Sequence, residues 1–332
     1  MSHELIPTRP AGAPARSVLL SPPALVARKG KKARSAFRDF FLARYPNENT
    51  REAYARAVAC FLTWLEARGV PDLDYVEPSM VALYLDELAA RYKTRTVKQH
   101  LSAIRMCFDH LTREGILPTN PAIHVRGPKL KVVKGVTPVL EDSQVLDLFE
   151  SIDTSTIVGL RDRALIGIML FTWARVSAVC GLHVRDYHQG TRKTQLFLGE
   201  KGGREHRVIL HHKAEEFLDA YLVAAGIAGE RESFLFRSID RARRLTDRPL
   251  SRMDVLAMVK RRGKRAGIAP ERVCNHSFRA TGITNYMEHG GRIDVAKEMA
   301  GHADERTTGL YDRSTEKVTK EEVERIRFER DV

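Results

Sequence analysis

The apolar positions between residues 36 and 115 recur with the period of an α-helix. Three stripes, each made of apolar residues mostly three or four positions apart, begin at Tyr54, Val81 and Val97. Residues at this spacing share one face of a helix, so each stripe predicts an amphipathic helix whose other face is polar. The region therefore predicts a small helical bundle with charged outer faces.

The chain from about residue 138 onward predicts further helices and one small sheet. Leu196–Leu198 and Val208–Leu210 are short runs of strand-forming residues, and Lys201-Gly-Gly-Arg204 lies between them, which is typical of a β-hairpin. Helical patterns surround this hairpin. They cover residues 162–171, 175–180, 254–265, 276–288 and 293–300. The predicted fold class is mainly α with a small antiparallel β-sheet.

Composition separates the chain into four parts. Residues 1–35 hold five of the fourteen prolines and seven Lys/Arg against one Glu, so we expect a basic, disordered tail. Residues 117–137 lack an amphipathic period and include a basic run, which favours a linker. This linker separates a helical domain of residues 36–116 from a second domain of residues 138–332, and a length of 332 residues is enough for two domains.

The chain is strongly basic, with 55 Lys and Arg, 42 Asp and Glu and a formal net charge of +13. A field of this sign attracts polyanions, which makes DNA the leading partner. The densest basic stretch after the tail is residues 231–265, with twelve Lys/Arg and four acids. A face that contacts phosphates and a solvated helix surface both explain that stretch.

The sequence argues against a membrane-spanning or secreted protein. Its longest mainly apolar run, residues 164–174, is much shorter than the roughly 20 residues that a bilayer requires. The N-terminus has Glu4 and several prolines where a signal peptide has an apolar core. The four cysteines are scattered singly, which gives neither a disulfide framework nor a zinc knuckle. We therefore expect a protein of the reducing cytoplasm with no membrane partner.

The candidate catalytic groups are cationic or titratable side chains of the second domain. The sequence contains no motif of a metal site or a nucleotide-binding loop, and no cofactor is expected. Arg175 begins a predicted helix, where a guanidinium and a helix N-terminus favour an anion. His276 and Arg279 are three residues apart and so share a helix face. His302 and Tyr311 follow, nine residues apart.

The order and spacing of these residues resemble the tyrosine recombinase (phage integrase) superfamily, which includes lambda integrase, Cre and the Xer recombinases. The motif blocks span about residues 172–313, and the helical region before them is similar to the SAM-like core-binding domain of that family. The matching positions are Arg175 for the first arginine, Lys201 for the hairpin lysine, His276 and Arg279 for the H-x-x-R box, His302 for the G-H box and Tyr311 for the nucleophile. The resemblance implies an N-terminal core-binding bundle followed by an α/β catalytic domain.

The activity implied by the resemblance is site-specific recombination through a covalent 3′-phosphotyrosyl link between protein and DNA, without metal or ATP. Attack on a phosphodiester builds negative charge on its non-bridging oxygens. Arg175 and Arg279 present planar forks of N–H donors that suit those oxygens, and His302 would add a further hydrogen bond.

Two proton transfers complete the implied reaction. Tyr311 is the nucleophile, and because the ordinary pKa of a tyrosine is near 10, its proton must be removed at neutral pH. His276 is the best-placed acceptor, and Lys201 on the hairpin would protonate the departing 5′ oxygen.

The resemblance also implies the partners. These are double-stranded DNA recombination sites, further copies of the chain in a homotetrameric synaptic complex, and accessory DNA-binding proteins in some systems, with a monomer free in solution. The implied biological role is integration, excision or resolution for a mobile element.

Three positions depart from the pattern of the family. Ala178 lies where an acid usually supports the first arginine, and Asp162 is a nearby acid that would serve instead. Trp173 lies where glycine is common, and Ala280 lies where many members have a second histidine.

Three other interpretations remain open. A type IB topoisomerase shares the chemistry, although the length, the two-domain plan and the G-H box favour a recombinase. A catalytically silent DNA-binding relative is favoured by Ala178. A metalloenzyme would use His206, His211 and His212, although adjacent histidines point to different sides and no carboxylate accompanies them.

Overall fold

The computed structural model describes residues 22–45, 47–129, 137–191, 193–199 and 205–301, with Glu205 described by its backbone alone. The chain divides after residue 131 into two compact units, and each has its own hydrophobic core. Three of the predicted site residues, Lys201, His302 and Tyr311, lie outside the described residues.

The described part of the first unit is helical. Its helices are α1 (Ala24–Arg28), α2 (Gly30–Leu42), α3 (Glu48–Glu66), α4 (Pro78–Ala89) and α5 (Thr94–Arg113). The apolar stripes seen in the sequence lie on α3, α4 and α5. Val58, Val81 and Val97, one from each stripe, are almost completely buried, which confirms the amphipathic pattern.

Aromatic rings fill the centre of the first unit. The ring of Phe61 lies 5.0 Å from that of Tyr84 and 6.0 Å from that of Phe108, measured between centroids. Trp64 is also buried, and its indole N–H donates to a carboxylate oxygen of Glu87 at 3.0 Å. These large side chains hold α3, α4 and α5 together because each buries much apolar surface.

The prediction of a disordered tail over residues 1–35 is wrong for residues 24–35. These residues form α1 and the start of α2. Leu25 and Val26 are fully buried, and the backbone N–H of Leu25 donates to the carboxylate of Glu66 at 2.9 Å. A short apolar group is enough to anchor this segment, although the average composition of the whole stretch is polar. Residues 1–21 lie outside the described part of the chain.

The prediction that residues 117–137 form a linker is wrong for the first part of this segment, which belongs to the first unit. Leu117 and Ala122 are buried in the core of the first unit. Arg105 on α5 donates from Nε to the carbonyl oxygen of Ala122 at 3.1 Å, and Asn120 donates to the carbonyl oxygen of Arg105 at 3.0 Å. Side-chain hydrogen bonds to the backbone fix this segment, and they leave no periodic pattern in the sequence.

The described part of the second unit combines helices with short strands. Its helices are α6 (Asp142–Glu150), α7 (Ile157–Phe171), α8 (Val176–Cys180), α9 (His212–Ala225), α10 (Arg252–Arg265), α11 (Asn275–Glu288) and α12 (Ile293–Met299). Its strands are β1 (Tyr187–Gln189), β2 (Thr194–Gly199), β3 (Glu205–Ile209), β4 (Arg237–Ile239) and β5 (Leu245–Pro249). The predicted fold class, mainly helical with small antiparallel sheets, is confirmed.

The predicted hairpin is present as the antiparallel pair β2–β3. Leu196 lies opposite Val208, and β1 extends the sheet on the other side of β2. A second antiparallel sheet, formed by β4 and β5, was not predicted. The sequence of β5, Leu-Thr-Asp-Arg-Pro, has no alternation of apolar and polar residues because the strand is largely exposed.

Helix α7 lies at the centre of the second unit, buried on most of its surface and packed against α9 and α11. It carries the fully buried Asp162, whose two oxygens accept hydrogen bonds from Arg161 and from Arg262 of α10, each at 2.7 Å. Arg161 also donates to the carbonyl oxygen of Arg237 in β4 at 3.0 Å. Buried charges are stable only when paired in this way, so the cluster fixes α7, α10 and β4 to one another.

Within the described ranges, no helix is both long enough and apolar enough to cross a bilayer.

Candidate active site

Arg175 lies in the short turn between α7 and α8. Helix α7 ends at Phe171, and the hydroxyl of the next residue, Thr172, donates to the carbonyl oxygen of Ile168 at 2.6 Å. Trp173 then adopts a left-handed backbone conformation with φ of 57°. The turn returns the chain to an extended conformation at Arg175, the residue that precedes α8, and leaves its side chain partly exposed.

His276 and Arg279 occupy the first turns of α11. His276 is exposed, whereas Arg279 is buried. The start of this helix is fixed by Ser277, whose hydroxyl accepts the backbone N–H of Cys274 at 3.0 Å. Three residues after Arg279, Gly282 allows α11 to approach the end of α7. A β-carbon at this position would lie only 2.3 Å from the carbonyl oxygen of Leu170, so the close packing of the two helices requires glycine.

The guanidinium of Arg279 joins three parts of the second unit. It donates from Nη1 to the carbonyl oxygen of Trp173, and from Nη2 to the carbonyl oxygen of Ala300 at 2.6 Å. The side chain is only 4% exposed. The α7–α8 turn, α11 and the end of α12 are therefore held in one arrangement by a single buried cation.

The two arginines act electrostatically on His276. Partial burial of the ring, followed by the positive charges of Arg279 and Arg175, lowers the pKa of His276 below its ordinary value. A charge influences a pKa in this way only from nearby. Arg279 also donates to the backbone carbonyl two residues before Arg175, and His276 lies three residues before Arg279 on α11, so the three side chains belong to one region of the second unit. The lowered pKa keeps the imidazole neutral at physiological pH, which is the form that accepts a proton.

His206 is a residue of this region that the sequence analysis did not assign to the site. It lies on β3, and its Nε2 is 3.0 Å from the carbonyl oxygen of Met299, the last residue of α12. The carbonyl of the next residue, Ala300, is held by Arg279. These contacts fix the end of α12, from which the chain leads through Gly301 toward His302. Sequence offers no signal for such a contact, because it joins a side chain to a distant backbone carbonyl.

Asp162 does not fit the expectation that it replaces the acid missing at Ala178. Its two oxygens accept hydrogen bonds from Arg161 and Arg262 in the buried ion cluster. The reason is burial: Asp162 faces the interior between α7 and α10, where it is bonded by Arg161 and Arg262 and lies 3.8 Å from a guanidinium nitrogen of Arg261.

The histidines of the metalloenzyme hypothesis do not gather around one point. His211 stacks on Phe171 with 4.4 Å between ring centroids, and its ring is tilted against that of His212 at 4.1 Å. His206 instead contacts the backbone of Met299. Among the described residues, no three His, Cys, Asp or Glu side chains are grouped so as to hold a metal ion.

Two family models match this chain. The model of the phage integrase family matches residues 138–317, and the model of the phage integrase N-terminal SAM-like domain matches residues 35–115. The first match alone covers more than half of the chain. The chain belongs to the phage integrase family. It is therefore a tyrosine recombinase by family, an enzyme class that cleaves and rejoins DNA at specific sites.

Curated relatives agree with this assignment over most of the chain. Tyrosine recombinase XerD of Oceanobacillus iheyensis is 29% identical over 286 residues, which cover 83% of this chain and 92% of that protein. XerD of Pseudomonas aeruginosa is 28% identical over 271 residues, which cover 80% of this chain and 86% of that protein.

Solved structures of recombinases share the fold. The XerH recombinase in a pre-cleavage complex with its difH substrate has a TM-score of 0.65 at 18% identity, covering 94% of this chain and 92% of its own. A lambda integrase dimer bound to a COC′ core site has a TM-score of 0.63 at 19% identity, covering 85% and 96%. A lambda integrase tetramer bound to a Holliday junction has a TM-score of 0.61 at 20% identity, covering 86% and 82%. The predicted two-domain recombinase fold is confirmed.

Proposed function

We propose that this tyrosine recombinase cuts and rejoins DNA through a 3′-phosphotyrosyl intermediate on Tyr311. The observation that carries the proposal is the convergence of Arg175, His276 and Arg279 in the second unit. Two guanidinium groups beside a neutral imidazole suit a phosphodiester under attack, because they stabilise the developing charge while the imidazole takes a proton. Lys201 and His302 complete the proposed catalytic set.

The proposed cleavage step balances as a transesterification. The phenolic oxygen of Tyr311 attacks the phosphorus while its proton passes to His276. The bond between phosphorus and the 5′ oxygen breaks, and Lys201 supplies the proton that converts the leaving group to a 5′ hydroxyl. Attack by a 5′ hydroxyl of a second duplex reverses these transfers and reseals the strand. One phosphodiester is exchanged for another, so the reaction requires neither ATP nor a metal.

The proposed partners are double-stranded recombination sites in the cytoplasm and three further copies of the chain in a synaptic tetramer, with accessory proteins in some settings. The net charge of +13 supports a DNA partner. The helix α10 supports it further, since its last turn carries the exposed Lys264 and Arg265. The protein is proposed to be monomeric before it meets DNA.

The test uses a DNA duplex that is obtained by selection for binding to this protein. Repeated binding and amplification from a pool of random duplexes yields a bound sequence, here called the selected duplex. A second version of this duplex carries a nick near the cleavage position. After attack, the short fragment that bears the 5′ hydroxyl dissociates. The strand cannot then be rejoined, so the covalent complex accumulates. We expect an adduct that survives denaturing electrophoresis with the wild type and with Tyr75→Phe, an exposed tyrosine of the first unit. We expect none with Tyr311→Phe, which still binds the selected duplex.

A silent DNA-binding relative is the second candidate, and Ala178 is the residue that favours it, because the usual acid is missing there. The same experiment separates the two candidates. Binding of the selected duplex without any adduct from the wild type would establish the silent relative. An adduct from Tyr311→Phe would show that another residue is the nucleophile.

We propose a mobile element as the biological setting, with integration, excision or resolution as the reaction. The DNA that flanks the gene tests this part. An adjacent transposon or phage end is expected, and a chromosomal locus that lacks any element end contradicts it.

A further inference from the structure

We propose that Trp173 is a positioning residue of the recombination reaction: its backbone carbonyl orients Arg279, and its indole ring locks that backbone in place. The inference rests on the proposed function, because it concerns the same site. It assigns a role to a residue that lies where the family commonly has glycine.

The backbone of Trp173 is in a conformation that bulky residues avoid. Its φ is 57°, and among the described non-glycine residues it shares a positive φ only with Arg243. Arg243 lies in the exposed turn between β4 and β5. Trp173 is 3% exposed. A large buried residue keeps such a conformation only when its surroundings impose it.

The surroundings that impose it are the neighbouring helices α11 and α12. The indole packs with Ile283, Ala296 and Ala300 in a small cluster separate from the main core. It meets the ring of Tyr286 edge to face, with 5.4 Å between centroids. It also lies directly over Gly282, where a β-carbon would be 2.4 Å from the indole nitrogen. The ring is therefore held on several sides.

The locked backbone has a direct effect on the site. The carbonyl oxygen of Trp173 accepts a hydrogen bond from Nη1 of Arg279, and Arg175 follows two residues later. Nη2 of the same guanidinium is fixed by Ala300. A displacement of the turn at residue 173 would therefore move Arg175 and release one of the carbonyls that orient Arg279.

The indole is what this chain adds to the turn. A glycine at position 173 adopts a positive φ without strain, but it is equally free to leave that region. At Trp173 the packed indole removes this backbone freedom, and the turn is held rigidly against α11 and α12. Rigid support of this kind matters because catalytic groups lose efficiency when they move by fractions of an ångström.

The experiment compares Trp173→Gly with Trp64→Phe, which alters the other tryptophan of the chain, buried in the first unit. Two properties are measured: the single-turnover cleavage rate on the nicked selected duplex, and the pKa of His276 by NMR titration of the protein without DNA. Thermal unfolding of each variant confirms that it is folded at the assay temperature.

We expect Trp173→Gly to lower the cleavage rate about 100-fold while its affinity for the selected duplex is unchanged. Burial and the two arginines lower the pKa of His276; it should rise toward its ordinary value in this variant, because the arginines are no longer held in place. Trp173→Phe, which restores an aromatic contact with Tyr286, should recover most of the rate. Trp64→Phe should change neither property.

A wild-type rate together with an unchanged pKa of His276 in Trp173→Gly would overturn the inference. If the wild type itself forms no adduct, the proposed function fails, and the pKa comparison still decides whether Trp173 positions the arginines. If Trp173→Gly does not fold, Tyr286→Ala replaces it, since this change removes the ring partner and leaves Trp173 present. A reduced rate and a raised pKa are then expected, and wild-type values of both overturn the inference.

Discussion

The substitution Gly282→Ala tests whether the close approach of α11 to α7 positions the active site. The new methyl group would lie 2.3 Å from the carbonyl oxygen of Leu170 and 2.4 Å from the indole nitrogen of Trp173, whereas ordinary contacts begin at 3.4 Å. A backbone oxygen in a helix cannot rotate away. The two helices must therefore separate by about 1 Å to restore an ordinary contact.

The expected loss of stability follows from two opposing effects. Overpacking of a core costs about 1–3 kcal/mol, and the upper half of that range applies because the obstructing atom belongs to the backbone. Alanine is favoured over glycine in a helix interior by about 1 kcal/mol. The net destabilisation is therefore about 1–2 kcal/mol, measured as the change in free energy of unfolding in urea.

The expected loss of activity is larger than the loss of stability implies. His276 and Arg279 lie on α11 within two turns of Gly282, so a shift of the helix moves both relative to Arg175. A displacement of about 1 Å can cost about 100-fold in rate, measured as single-turnover cleavage of the nicked selected duplex at a temperature where the variant is folded.

The matched control is Gly229→Ala, since a β-carbon at Gly229 meets nothing within 4 Å and its φ is not positive. This variant should be neutral or more stable by about 0.4–1 kcal/mol, because alanine restricts the unfolded chain. The reasoning is refuted if Gly282→Ala unfolds and cleaves like the wild type, or if the two variants behave alike.

Three further predictions concern charge. Asp162→Asn should lower the free energy of unfolding by about 3–5 kcal/mol, because Arg161 and Arg262 remain buried without their anion; a change near zero in urea denaturation would contradict this. The cleavage rate should fall at acid pH with an apparent pKa below 6.5. The reason is that burial and the neighbouring arginines lower the pKa of His276, and that only its neutral form accepts the proton. A fall in rate with a midpoint above pH 6.5 argues against His276 as the base. Cleavage of the selected duplex should proceed at the same rate in excess EDTA, because cations of the chain stabilise the phosphate; complete loss of activity there means that a divalent metal takes part.

The sequence predicts those parts of the fold that rest on periodic burial. The stripes that begin at Tyr54, Val81 and Val97 mark three helices because the residues of each stripe face the same core. The exposed strand β5 and the anchored residues 24–35 leave no such signal. In both cases a few local contacts determine the structure, and an average over the surrounding sequence hides them.

The candidate site divides in the same way. The spacing of His276 and Arg279 on one helix follows from the sequence, since residues three apart share a face. The support of Arg279 by the carbonyl groups of Trp173 and Ala300 does not, because backbone acceptors are the same for every residue type. The left-handed turn at Trp173 is also hidden, since a tryptophan gives no indication of a positive φ.

The central claim is that cations of the second unit activate a phosphate for attack by Tyr311, and peptide mapping of the adduct tests it most directly. The covalent complex with the nicked selected duplex is digested with nuclease and trypsin, and the peptides are measured by mass spectrometry. Cleavage after Arg306 and Arg313 releases residues 307–313, which contain Tyr311. The account predicts that this peptide carries the added mass of a nucleotide joined to Tyr311 through its 3′ phosphate. The same mass on another peptide, with residues 307–313 recovered unmodified, would contradict it.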